Sequence, residues 1–239
     1  MNIALIGYGK MGKEVAAEAL ARNHHISLTV DVDNRHELTP ENLKKCDVAI
    51  EFTSPHTAAG NIRRCLAAGI PVVCGSTGWL EQLEDVKREC EERKGAFFYA
   101  SNYSVGVNIF LRINKMLAAM MNFAGAYRPS MEEVHHTEKK DAPSGTAVTL
   151  AEAMMSELKL LKKWVNQASD TEDVLPVVSL RKPGVCGTHT VKYESDVDYI
   201  TLSHVAKNRK GFALGAVLAA EFIRGKQGCF GMNDLMGNF

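Results

Sequence analysis

The chain has 239 residues, 46% of them hydrophobic, with 28 Lys and Arg balanced by 28 Asp and Glu. That length suits one or two domains with ample core, and a net charge of zero argues against general affinity for nucleic acid or an anionic membrane. No run of eighteen apolar residues predicts a spanning helix, and six cysteines without a CxxC spacing read as reduced thiols of a cytoplasmic protein rather than a zinc cluster.

Residues 2–7 are a short apolar run ending in glycine, a first buried strand rather than a secretion signal. Residues 10–23 place Met11, Val15, Ala16, Ala19 and Leu20 at helical spacing. Further strands are predicted over 26–31, 47–52, 71–74 and 96–100, with helices over 57–68 and 80–94. Strands alternating with helices in this way predict an α/β fold, a Rossmann-like doubly wound parallel sheet. After Tyr103 the period changes. A helix over 108–121, a strand over 130–136 and a helix over 148–161 are followed by a polar stretch, 162–175, read as a surface loop. Strands over 177–180, 188–193 and 199–204 and a helix over 212–224 complete the chain. This half predicts a second α+β domain with a mixed or antiparallel sheet, and the boundary falls between 104 and 105.

The first strand runs into Gly7-Tyr8-Gly9-Lys10-Met11-Gly12, which opens the first helix, and Asp31 closes the second strand 19 residues after Gly12. A GxGxxG is weak alone but specific in this context. Gly7 permits the tight turn, Gly9 lets the backbone approach a pyrophosphate, and Gly12 lets helix and sheet pack closely. Asp31 suits the ribose hydroxyls of NADH, whereas Lys10 and Arg35 could pair with the extra phosphate of NADPH, so the cofactor is NADH, NADPH or both. Two more loops follow strand ends: Gly75-Ser76-Thr77-Gly78 and Ala100-Ser101-Asn102-Tyr103-Ser104. Strand ends are where ligands sit in an open parallel sheet, which makes these loops candidates for the nicotinamide and its ribose.

The segment Glu133-Val134-His135-His136-Thr137-Glu138-Lys139-Lys140-Asp141-Ala142-Pro143-Ser144-Gly145-Thr146 places proton donors beside an anion cradle. Adjacent residues of a strand point to opposite faces, so His135 and His136 should not share a role. Imidazole titrates near neutrality and suits proton transfer. Ser144 has the character of a helix N-cap, and N–H groups at Gly145 and Thr146 could bind a carboxylate. Neither a GxSxG elbow nor HExxH is present, so a serine hydrolase and a metal site are not predicted.

Together these residues resemble the dihydrodipicolinate reductase family. The resemblance is carried by GYGKMG at 7–12, EFTSP at 51–55, CGSTGW at 74–79, ASNYSVGVN at 100–108, EVHHTEKKDAPSGTA at 133–147, GTHTV at 187–191 and FGMNDLM at 230–236. It implies NAD(P)H-dependent reduction of 4-hydroxy-tetrahydrodipicolinate to tetrahydrodipicolinate, a step of diaminopimelate and lysine biosynthesis. His135 would be the acid/base residue and Lys139 the proton donor. His136, Ser144, Gly145 and Thr146 would hold a small dicarboxylate, and no metal is implied. Gly7 to Gly12, Asp31, Gly75 to Thr77 and Ala100 to Tyr103 would hold the dinucleotide. The resemblance also implies a cytoplasmic homotetramer without nucleic-acid or membrane partners. Residues 1–104 would be the dinucleotide-binding domain with 210–239 packing back onto it, and 105–209 the substrate-binding and oligomerisation domain.

Overall fold

A strand that is apolar on both faces belongs in the middle of a parallel sheet, and Ile3, Ala4, Leu5 and Ile6 are at most 1% exposed. In the computed structural model, which describes residues 1–237, they form β1 (Asn2–Ile6). There follow α1 (Lys10–Ala21), β2 (His25–Val30), α2 (Pro40–Leu43), β3 (Val48–Glu51), α3 (Ala58–Ala67), β4 (Val72–Cys74), α4 (Leu83–Glu92) and β5 (Ala96–Tyr99). A 3-10 turn over Val32–Glu37, capped by Asp31, fills the link after β2. All five strands pair in parallel, and a late strand, Gly228–Phe230, adds to the free edge of β5.

The chain then builds α5 (Val105–Met121), β6 (Arg128–His135), α6 (Gly145–Glu157), β7 (Lys163–Val165), β8 (Val174–Arg181), β9 (Gly187–Glu194) and β10 (Tyr199–Ala206). It ends in α7 (Lys210–Ile223), β11 (Gly228–Phe230) and α8 (Met232–Met236). The sheet orders are β11-β5-β4-β3-β1-β2 and β10-β9-β6-β8-β7. The second sheet is mixed: β6 runs parallel to β8 and antiparallel to β9. Both the doubly wound parallel sheet and the mixed second sheet match the expected class.

Two compact units result. One comprises Met1–Val105 and the chain from Arg209 on, the other Gly106–Asn208; Asn238 and Phe239, the last residues of the expected returning segment, lie outside the described residues. In the first unit α1 and α7 cover one face through Val15, Ala16, Ala19, Ala216, Val217 and Ala220. Helices α2 to α4 cover the other through Leu43, Ile62, Cys65, Leu66 and Val86. In the second unit α5 and α6 cover one sheet face, burying Phe110, Leu150, Met154, Val177, Val191 and Tyr193.

The expected loop over 162–175 is corrected. It contains β7, and Val174 and Leu175 within it already belong to β8, against which β7 pairs in parallel. A three-residue strand carries too little alternation to show in a polar stretch. None of the described helices is long and apolar enough to cross a membrane.

Candidate active site

At β1 the first sheet changes direction of growth, with β2 on one side and β3 on the other. Such a switch point leaves a crevice beyond the strand ends. A cleft of about 460 Å³ opens there, lined by Gly7, Gly9, Asp31, Arg35, Thr53 and Arg64 among others, a volume typical of small-molecule sites. Gly7 has φ of 95°, and a Cβ there would run into the Phe52 carbonyl. A Cβ on Gly12 would strike the Gly7 carbonyl, so α1 starts flush on the strand exit. Gly9 is the N-cap of α1 and makes no side-chain cap, and a Cβ there would meet nothing within 4 Å. The first turn of α1 is therefore open to an anion, as a bound pyrophosphate requires.

Other predicted cofactor residues divide by placement. Asp31 is exposed in the cleft, its carboxylate accepting from the Val32 N–H at 2.9 Å. Tyr8, Lys10, Met11 and Gly12 fall outside the cleft lining. Gly75 lies under the Phe52 ring, which a Cβ would hit. Ser76 is buried and its hydroxyl accepts from the Thr53 N–H at 2.8 Å, whereas Thr77 is exposed. Ala100 is buried and Ser101 exposed, and Asn102 accepts from the Ser104 N–H at 2.9 Å. The Tyr103 ring is a core group: it is buried, it donates to the Cys74 carbonyl at 2.7 Å, and burial holds its phenol well above the usual range. Thr53, Ser54, His56, Thr57, Asn61 and Arg64 also line the cleft. Sequence reasoning quoted the EFTSP string but did not assign its residues. Their signal was position, because they follow β3 as Asp31 follows β2.

The second unit carries the residues predicted for proton transfer. His135 ends β6 and is 8% exposed, while the next residue, His136, is half-buried. The Nδ1 of His135 faces the carboxylate of Glu133, which is fully buried and also accepts from Arg181 Nη1 at 3.0 Å. Burial alone would raise the Glu133 pKa, but donors from Ser179, Arg181 and His135 together hold it below the usual value. Burial lowers the pKa of His135, Lys139 and Arg181 lower it further, and Glu133 opposes them. The imidazole is therefore neutral at pH 7, with Nδ1–H donating to Glu133 and Nε2 left as a lone pair. Gly187 on β9 makes room for that ring, since a Cβ there would sit 3.0 Å from Nε2.

His189, opposite Glu133 in the β6–β9 register, meets the His135 ring edge to face at 5.1 Å. Its Nε2 lies 2.9 Å from Ser144 Oγ, and burial pushes its pKa down to about 4. Ser144 is the N-cap of α6, accepting from the Ala147 N–H at 3.2 Å. A Cβ on the exposed Gly145 beside it would meet nothing within 4 Å, and Thr146 is half-buried in the same turn. Lys139 Nζ donates to both Asp141 oxygens at 2.8 and 2.9 Å. Arg181 holds this loop by donating to the carbonyls of Lys139 at 3.4 Å and Asp141 at 2.7 Å. His136 Nδ1 lies 3.1 Å from Glu138 without hydrogen-bond geometry.

Sequence reasoning found His135, Lys139 and Ser144 but assigned no role to Glu133, His189, Arg181 or Gly187. Glu133, His135 and His189 offer three potential metal-ligand atoms within 4.8 Å of one another, a cluster that spacing along the chain does not show because His189 comes from another strand. Most of these groups already have partners, although His135 Nε2 keeps its lone pair. Glu133 serves His135 and Arg181, and His189 serves Ser144. The set fixes protons and ring orientations beside the Ser144-capped start of α6.

Comparison with known proteins places this geometry. Residues 1–103 match the family model for the dihydrodipicolinate reductase N-terminus, and residues 106–236 that for its C-terminus. The chain is 45% identical to the 4-hydroxy-tetrahydrodipicolinate reductase of Christiangramia forsetii, covering 100% of this chain and 98% of that one. It is 37% identical to the enzyme of the same name from Methanoculleus marisnigri, over 82% and 78% of the two chains. Among solved structures it resembles the dipicolinate-bound dihydrodipicolinate reductase from Paenisporosarcina sp. TG-14, with a TM-score of 0.80 at 24% identity over 97% and 98% of the chains.

Proposed function

The chain belongs to the dihydrodipicolinate reductase family, and on that premise we propose how its residues divide the work. The activity is the nicotinamide-dependent reduction of 4-hydroxy-tetrahydrodipicolinate to tetrahydrodipicolinate, in diaminopimelate and lysine biosynthesis. Water is lost as the hydroxyl together with one ring hydrogen, and a hydride and a proton enter the ring in their place. Bound nicotinamide supplies the hydride. The open cradle at Gly9 and the cleft at the switch point fit such a dinucleotide. Gly7, Gly9 and Gly12 shape the backbone around the pyrophosphate, and Asp31 accepts from the ribose hydroxyls. The loops over 75–77 and 100–103 bound the nicotinamide end. NADH is the expected cofactor because Asp31 lines the cleft. Arg35 and Arg64 line it too and would meet the phosphate of NADPH, so both are accepted.

The proton side belongs to His135 and Lys139. Glu133 fixes the His135 tautomer and Arg181 fixes the loop carrying Lys139, whose ammonium remains a donor where the imidazole is neutral. Gly145 and Thr146 at the α6 start receive a substrate carboxylate, with Ser144 and His189 holding that start in place. His136, half-buried at the same strand end, binds the second carboxylate. The proposal extends to a homotetramer working in the cytoplasm.

The observation carrying this reading is the buried Glu133–His135 pair beside the capped α6 start. His135→Ala or Lys139→Ala should lower kcat by about 10²–10⁴-fold while NADH still binds. The measurement is oxidation of NADH and of NADPH with freshly generated 4-hydroxy-tetrahydrodipicolinate. Normal turnover in both variants would overturn the residue assignment.

A further inference from the structure

Glu51 closes β3 and is fully buried, yet among the described residues no cation pairs with it. A buried carboxylate survives only where donors replace its water. Its donors here are the Thr53 hydroxyl, the Thr53 N–H at 3.2 Å, Asn61 Nδ2 at 3.4 Å and Cys74 Sγ at 3.2 Å. Thr53 and Asn61 line the cleft beyond the strand ends. The Thr53 N–H is also shared with Ser76 of the next strand-end loop, so one carboxylate ties two loops together.

A carboxylate only accepts, and this sets the direction of a hydroxyl chain. Thr53 must donate to Glu51, so its oxygen accepts from Thr57 Oγ1 at 2.8 Å and from Asn61 at 3.3 Å. The Ser54 carbonyl also lies 3.4 Å from Thr57 Oγ1, but the 2.8 Å contact to Thr53 is the shorter and takes its proton, so Ser54 Oγ, 2.9 Å away, donates to Thr57. Ser54 is left with lone pairs only, on a wall of the same cleft. We propose that Glu51 is a positioning residue for the cofactor: through Thr53 and Thr57 it fixes Ser54 Oγ on the cleft wall as a hydrogen-bond acceptor, suited to the hydroxyl or amino donors of an adenosine. This rests on reading the cleft as the dinucleotide site.

The test is NADH titration by fluorescence, with KM and kcat, on the full chain and its variants. Glu51→Gln keeps the shape but introduces a donor, which removes the direction of the chain. It should weaken NADH binding about tenfold, the scale of one lost hydrogen bond, with the change in KM and not in kcat. Thr53→Val cuts the same chain and should cost as much, Thr53→Ser should restore affinity, and Glu51→Gln with Thr53→Val should be no worse than either alone. Unchanged NADH affinity in Glu51→Gln, losses that multiply, or a Thr53→Ser as weak as Thr53→Val overturns the inference while the cofactor reading stands. Wild-type protein that does not bind NADH overturns both. If Glu51→Gln does not fold, the two Thr53 variants decide.

Discussion

His135 shows what a neighbourhood does to one side chain. Burial and the cations Lys139 and Arg181 disfavour its charged form, and its pKa falls below 6.5. Below that depressed pKa the imidazolium can itself give a proton; above it the imidazole cannot, and the demand falls on Lys139. The penalty of Lys139→Ala in kcat should therefore grow as pH rises from about 5 to 8. A penalty that stays flat across that range in steady-state assays would sink this division of labour. The pair His135 and Lys139 was legible because both lie in one short string. Glu133 lies in the same string, as does its partner His135, but the other residues around it do not. His189 reaches it across the β6–β9 register and Arg181 across β6–β8, and pairings between strands far apart in sequence are set by the sheet, not by spacing along the chain.

Helix α7 illustrates the same limit for elements. Its apolar run and the closing Gly225 predicted a helix over 212–224, close to the observed Lys210–Ile223. What the run did not show is why Gly215 sits in the middle, where glycine costs helix stability. A Cβ at that position would collide with the Tyr103 carbonyl, so the gap lets α7 lie directly on the chain leaving β5. Backbone cannot yield as a flexible side chain can. Gly215→Ala should destabilise the first unit by about 1–3 kcal/mol, the usual cost of overpacking, measured by urea unfolding; equal stability would show that the helix can shift freely. The short elements β7, β11 and α8 escaped prediction because three to five residues hold less than two periods of any pattern. The long ones were found because burial on a helix stripe or strand face repeats.

At the scale of the molecule, the parallel sheet and the second mixed sheet followed from the order of elements alone. The cleft wall rooted in Glu51 did not, because a charged residue ending an apolar strand gives no sign of being buried. The chain enters the first unit, leaves it at Val105 and rejoins it at Arg209. The returning piece is structural: α7 buries seven residues on the first sheet's side and β11 pairs with β5. A chain ending at residue 208 should thus keep a protease-resistant Gly106–Asn208 while residues 1–105 are digested, and resistance of both would refute this. On the ribosome the consequence is an inverted schedule. The first hundred residues emerge first but stay without the helix and edge strand that complete them, and the later, contiguous unit is ready to fold before them. The nascent nucleotide half therefore waits with one sheet face covered by α1 alone until translation has almost finished, which makes it the part that chaperones must shelter.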